Sequence, residues 1–561
     1  MKPGKNNSAA KFLTVALMLL LVAAGVRAAG PFNVNSTADT HVSNTTTGTD
    51  TNGSITLRSA IEAANADGGA IINIQSGTYN LTLGELDVAP GGGQNTSIVG
   101  SDPTKIFIVQ TDGTNRVFNI DSSSAGNTVV TINGVTIEGG QDRADNLGGA
   151  GILAGSLNNP NDTLNLLNCV VQNNHCYEVT AGYTANPGGG VQMAGGNLYV
   201  NNCTFANNTS AASFGGAIFF FNQAVTASLG VSNTVFRSNG MTNNSGSGPD
   251  GGGAIMILST ATSTHTFLNN SFLGNFDVGI SGKTYGGAIQ MNGGTLNANA
   301  CTFITNGLTG AGTLGGAVFV DSGTLNISYC RFVNNAASNA TTIYNHTSNG
   351  AVTTANNNWW NSNTGPGTND LVGSTAANYI VLTHYANPGT IPTNSSTTLI
   401  ASIITNSVGT ALSTANLTAM IGVPIVFFNA TKGTISSPLP TIQANGTATA
   451  KFNATPGLAG TATAQAQVDN VNATATINIE CPSMSAVLTG GGTICSGSSV
   501  PLTVTVTGGV PPYSVQLNNG GGTQVGSSPL TFNVSPTANT TYSISLGSDA
   551  DGCTLSASGN A

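Results

Sequence analysis

Eight segments of this chain overlay without gaps, starting at Val130, Leu164, Leu198, Leu229, His265, Leu296, Leu325 and Val352 in steps of 27 to 36 residues. The third residue of each is mostly apolar (Ile132, Leu166, Val200, Val231, Phe267, Ala298, Ile327, Thr354). The eighth is apolar every time: Ile137, Val171, Phe205, Phe236, Phe272, Phe303, Phe332 and Trp359. An odd spacing of five between two inward positions breaks strand alternation, so a corner lies between them. The fifth residue supplies it: Gly134, Asn168, Asn202, Asn233, Asn269, Ala300, Tyr329 and Asn356, six of the eight being glycine or asparagine, the types that tolerate positive φ. The eleventh is again a turn residue: Gly140, Asn174, Asn208, Asn239, Asn275, Asn306 and Asn335. Short strands joined by tight corners at this period stack as a parallel solenoid. Residues 70 to 375 hold about ten coils at roughly 30 residues each.

Composition sets the surface of that solenoid. Of 561 residues 74 are glycine and only 6% are charged, against about 25% in an ordinary soluble domain, so the solvent faces are Asn, Thr, Ser and Gly. With 13 basic and 22 acidic residues the chain is unsuited to neutralising phosphates, and a nucleic-acid partner is not expected. Residues 1–28 read as an export signal. Lys2, Lys5 and Lys11 precede an apolar stretch from Phe12 to Ala24, and Val26-Arg27-Ala28 offers small residues for cleavage. No later stretch reads as a membrane-spanning helix, so the mature chain is expected to be secreted or held at the outer surface of a bacterium.

The glycine tags Gly216-Ala217-Ile218, Gly253-Ala254-Ile255, Gly287-Ala288-Ile289 and Gly316-Ala317-Val318 alternate with Phe236-Arg-Ser-Asn239, Phe272-Leu-Gly-Asn275, Phe303-Ile-Thr-Asn306 and Phe332-Val-Asn-Asn335. This alternation resembles the GGAI and FxxN repeats of polymorphic outer-membrane proteins, which implies a right-handed parallel β-helix of the pectin-lyase type on a surface-displayed, adhesin-like protein. Ile55-Thr-Leu-Arg-Ser-Ala-Ile61 with Gly77-Thr-Tyr79 is similar to the CSLREA domain that heads secreted β-helices, although Ser59 stands where that family has Glu. Leu57, Ala60, Ile61 and Ala64 fall at helical spacing, predicting a short helix over the open first coil. Asn357-Asn358-Trp359-Trp360 resembles the closing coil, with Trp359 on the core position and Trp360 outward. The reading is therefore all-β: residues 29–375 a capped β-helix, 376–480 a β-sandwich similar to bacterial Ig-like modules, and 481–561 a second module of that kind, cut short at its end.

Eight cysteines in an exported chain invite bridges. Cys169 and Cys203, like Cys301 and Cys330, share a repeat position on adjacent coils, and parallel Cβ vectors there favour buried thiols over disulfides. Cys495 and Cys553 are the expected bridge. For chemistry, the densest charged group is Glu138, Asp142, Arg143 and Asp145, the one candidate acid–base set for a polysaccharide lyase or hydrolase; a solvated turn is the simpler account. Asp549 and Asp551 resemble half of a calcium loop, too little for a site. The five histidines read as structural, and no cofactor is expected. The functional expectation is a non-enzymatic adhesin-like protein that meets a glycan or a host or neighbouring cell surface, with the sugar-degrading enzyme as its rival.

Overall fold

The computed structural model describes residues 31–561 except 91–93, 121–127, 144–146, 156–160, 178–186, 212–213, 223–226, 245–250, 280–283 and 311. The export signal expected over residues 1–28 and the candidate Asp145 lie outside the described residues. The chain divides into two units, 1–360 with 364–379, and 361–363 with 380–561.

The first unit is a β-solenoid of about eight turns. Ten were expected over residues 70 to 375; the last lap is incomplete, because after Arg331–Val333 the second sheet continues only as an isolated bridge at Trp359. Consecutive laps pair in parallel and in register. Leu166, Val200, Val231, Phe267, Ala298 and Ile327 form one inward column. A nine-stranded second sheet runs from Gly77–Leu81 to Arg331–Val333 and carries Val171, Phe205, Phe236, Phe272, Phe303 and Phe332 in another. The phenylalanine rings stack with centroids 5.0, 5.0, 4.8 and 5.1 Å apart, all at or below 2% exposure. A third, six-stranded sheet covers the remaining side from Gln141–Asp142 to Gly307–Thr309.

Left-handed backbone recurs at each corner. Gly134 (φ 68°), Asn168, Asn202, Asn233 and Asn269 (50–55°) hold it, and so do Ala300 (52°) and Tyr329 (57°) despite their Cβ atoms. At Gly134 a Cβ would also come within 2.4 Å of the Gly100 carbonyl oxygen in the lap below. The glycine tags have the same cause: a Cβ on Gly253 would meet the Gly287 oxygen at 2.2 Å, so adjacent laps close only where that side chain is absent.

The final repeat keeps the gapless spacing but starts one residue later than the overlay placed it. Thr353, not Val352, lies opposite Leu325, and Trp359 pairs with Arg331. A one-residue shift exchanges the faces. Trp360 therefore takes the core position, stacked on Phe332 at 4.8 Å, while Trp359 is buried outside that column, and Asn357 rather than Asn356 holds the corner at φ 56°.

The helix over the first coil, α1 (Leu57–Asp67), opens with a reciprocal cap: the Ser59 amide donates to Thr56 Oγ1 (3.1 Å) and the Thr56 amide to Ser59 Oγ (2.9 Å). Ser59 thus serves from the third helical position, where glutamate would otherwise reach back. Gly68 ends the helix at φ 81°, and Leu57, Ala60, Ile61 and Ala64 enter the solenoid core.

The second unit is built from largely antiparallel sheets. The strands Ile380–Asn387, Ser396–Asn406, Thr447–Ala454 and Gly433–Ser436 make one, and Thr390–Pro392, Val471–Glu480, Gly460–Val468 and Ile425–Phe428 another. A further four-stranded sheet around Val500–Thr507 and a three-stranded one around Tyr513–Leu517 follow. These paired sheets are consistent with sandwich-like modules. The disulfide here joins Cys481 to Cys553, not Cys495 to Cys553. Ser485–Gly490 pairs in parallel with Ser556–Ser558, so the residues preceding each strand meet at one end, with Cα atoms 5.6 Å apart. Cys495 follows Gly490 at the other end and is an exposed free thiol.

Candidate functional site

The solenoid's polar side chains fall into three sets. The first is internal. Asn174, Asn208, Asn239, Asn275, Asn306 and Asn335 occupy the eleventh position as a buried amide ladder. From Asn174 to Asn306, each Nδ2 donates to the Oδ1 of the next lap at 2.9–3.0 Å. That same oxygen also accepts the backbone N–H of the lap before, at 3.0–3.3 Å. The second N–H of each Asn from Asn208 to Asn335 donates to the carbonyl of Val171, Phe205, Phe236, Phe272 or Phe303. The amides are spent on the fold. A parallel row at the sixth position mixes side-chain types for one task. The amide of Cys169 donates to Cys203 Sγ (3.3 Å), of Cys203 to Thr234 Oγ1 (3.3 Å), of Thr234 to Asn270 Oδ1 (3.0 Å) and of Cys301 to Cys330 Sγ (3.2 Å). Thiol, hydroxyl and amide each accept one corner N–H, and the four cysteines are buried and unbridged.

The second set is ionic and lies near the N-terminal end. Arg58 Nε donates to Asp39 Oδ1 at 2.6 Å, and its terminal nitrogens donate to the carbonyls of Gly84 and Glu85. Burial raises the Asp39 pKa, but Arg58 and the amides of Thr82 and Leu83 outweigh it and hold the carboxyl below its ordinary value. Arg116 bridges Glu85 (3.0 Å) and Asp142 (3.3 Å). Asp142, 2% exposed, also accepts the Gly148 amide at 2.7 Å. Glu138 accepts from Gln172 Nε2 at 2.6 Å, and the Arg143 guanidinium lies 3.9 Å over the Tyr177 ring. The sequence candidates Glu138, Asp142 and Arg143 therefore each engage a different neighbour. In the second unit, Asp549 accepts the amides of Val510, Asp551 and Cys553, which shapes a turn. Among the described residues no group of three His, Cys, Asp or Glu side chains is placed to hold a metal.

The third set faces outward. Asn168 Nδ2 donates to Asn133 Oδ1 (2.9 Å), which ends the strand before the Gly134 corner, Asn202 to Asn168 (2.7 Å) and Asn269 to Asn233 (2.9 Å); Asn168, Asn202, Asn233 and Asn269 are exposed at the corners. On the strand beside them Asn165 donates to Thr131 Oγ1 (3.2 Å) and Asn326 to Asn297 Oδ1 (2.9 Å). On the corner row uncharged amides recur over the four laps from Asn168 to Asn269, about 4.8 Å apart, before Ala300 interrupts them.

One outward group breaks the regularity and was missed by sequence reasoning, which read His346 as structural. His346 Nδ1 lies 2.8 Å from Asp321 Oδ1, and Asn349 Nδ2 donates to the same oxygen at 2.8 Å.

No family model matches the chain, and no curated protein matches it. Among solved structures, the S-layer protein SbsC, domains 5-6, is similar over 32% of this chain and 96% of that one, at 10% identity and a TM-score of 0.14. No helix among the described residues is long and apolar enough to cross a membrane.

Proposed function

We propose that this is an exported, non-enzymatic surface protein whose solenoid contacts a glycan or a cell surface and whose sandwich-like modules, similar to bacterial Ig-like domains, serve as spacer. The observation that carries the reading is the outer asparagine row through Asn133, Asn168 and Asn202. A regular series of uncharged hydrogen-bonding groups suits a polymer that is itself regular and rich in hydroxyls. The rival, a polysaccharide lyase or hydrolase, is less well supported because Asp142 is committed to Arg116 and the Gly148 amide, whereas catalysis needs an acid or base free to exchange protons.

Incubating the secreted protein with a glycan array, with whole cells and with a panel of polyuronates tests the reading. Retention on cells or glycans without release of unsaturated or reducing sugar is the expected result. Release of such products, abolished by Asp142→Ala, would reverse the ranking. Self-assembly of the purified protein with no ligand bound would instead make it a structural surface component.

A further inference from the structure

The strands Ile289–Asn299 and Val318–Ser328 pair with Met291 opposite Val320 but Asn292 opposite Ser322. Asp321 is therefore the extra residue of a β-bulge, a device that re-aims one side chain and leaves it out of the ladder. In the next lap His346 follows the strand Ile343–Asn345 and precedes the turn Thr347–Asn349. It meets Asp321 Oδ1, as does the Asn349 amide. The His346 side chain is 33% exposed and that of Asp321 14%. The imidazole packs against Phe319 and Tyr344, both at centroid distances of 6.1 Å, and those two rings are 5.6 Å apart.

The hydrogen-bond inventory decides what such a group takes. A carboxylate oxygen accepts, so Nδ1 of a neutral His346 carries the proton and Nε2 is an acceptor. Asn349 spends an N–H on Asp321, leaving its Oδ1 as an acceptor, and Asp321 Oδ2 is a third. Neither Oδ2, nor Asn349 Oδ1, nor His346 Nε2 makes a hydrogen bond within the protein among the described residues. Three acceptors bearing one negative charge reject carboxylate, sulfate and phosphate groups. They suit a ligand that donates several O–H groups from one edge, and the aromatic side chains alongside suit its C–H surface.

We infer that Asp321, His346, Asn349 and Tyr344 form a binding site for a neutral saccharide. The inference rests on the surface-binding reading above and narrows it: polyuronates are excluded from this site by the Asp321 charge.

The test titrates the full-length protein with neutral β-glucan, mannan and chitin hexasaccharides and with polygalacturonate, following affinity by calorimetry and the histidine ring signals by NMR. A neutral hexasaccharide is expected to bind and to move the His346 signals and not those of His41. Asp321→Ala and Tyr344→Ala are each expected to weaken binding about tenfold or more, and Tyr385→Ala, at an exposed position in the second unit, to leave it unchanged. Asn349 is exposed, so Asn349→Ala provides a variant whose fold is safe, with a smaller loss expected. Neutral-glycan binding that survives all three substitutions would overturn this site while leaving the surface-binding reading intact. Binding that is abolished by a chelator, or preference for polygalacturonate, would overturn the saccharide assignment. Absence of any glycan or cell binding would overturn both.

Discussion

At the residue scale the two asparagine rows are chemically alike and energetically different. Asn239 is buried with both amide hydrogens and its oxygen engaged, and removing it strands the Asn208 amides and the Phe205 carbonyl. Asn239→Ala is expected to cost about 2–4 kcal/mol in denaturant unfolding of the solenoid. Asn202→Ala, on the exposed row, is expected to cost under about 1 kcal/mol. A second residue-scale prediction concerns His265. It is fully buried, accepts the Leu229 amide on Nδ1, lies 3.0 Å from Ser259 through Nε2, and meets Phe220 edge-on. Burial lowers its pKa to about 4, so the folded state prefers the neutral ring. This contribution is complete above the unfolded value of about 6.5 and is lost as pH falls toward 4. Unfolding followed between pH 7 and pH 4 should show a loss of about 3 kcal/mol that His265→Gln reduces; an unchanged pH profile in that variant would assign the loss elsewhere.

At the element scale the lap was legible because its signals are local: an apolar side chain at a fixed offset from a residue that tolerates positive φ. The corner at Tyr329 shows how far stacking overrides preference, since tyrosine holds φ 57° there. What escaped the sequence was local register. The closing lap slipped by one residue, exchanging Trp359 and Trp360, because the doubled Asn356-Asn357 and Trp359-Trp360 satisfy the corner and core positions from either starting residue. The bulge at Asp321 was hidden because two shifts cancel: Met291 to Thr295 and Val320 to Thr324 are equally long, and the extra residue at Asp321 is offset at Gly293 and Gly294. The outward site was therefore illegible, being formed by a register shift in one lap and a side chain from the next. The cap, by contrast, was readable from its helical spacing. Thr56→Ala removes the acceptor for the Ser59 amide and should cost about 1 kcal/mol, seen as faster amide exchange in the first turn of α1.

At the scale of the whole molecule, the two units draw stability from different sources. The solenoid relies on columns of stacked side chains. The second unit adds a covalent link that closes a loop between residues 72 apart in sequence. The spacing of three cysteines in this part of the chain does not determine which two pair, and the parallel pairing of Ser485–Gly490 with Ser556–Ser558 decides for Cys481. Replacing Cys481 and Cys553 with serine is expected to destabilise the second unit by up to about 4 kcal/mol on loop-closure grounds, with the solenoid transition unmoved. For the solenoid, the central claim is that residues far apart in sequence sit at a distance set only by the number of laps between them. Spin labels at Asn165 and Asn326, which occupy one outward row five laps apart, in a Cys495→Ser background, measure this by dipolar spectroscopy. A narrow distribution near about 24 Å is the result the in-register solenoid predicts; a broad distribution, or a mean that does not shorten by about 5 Å when the first label moves to Tyr199, would contradict it.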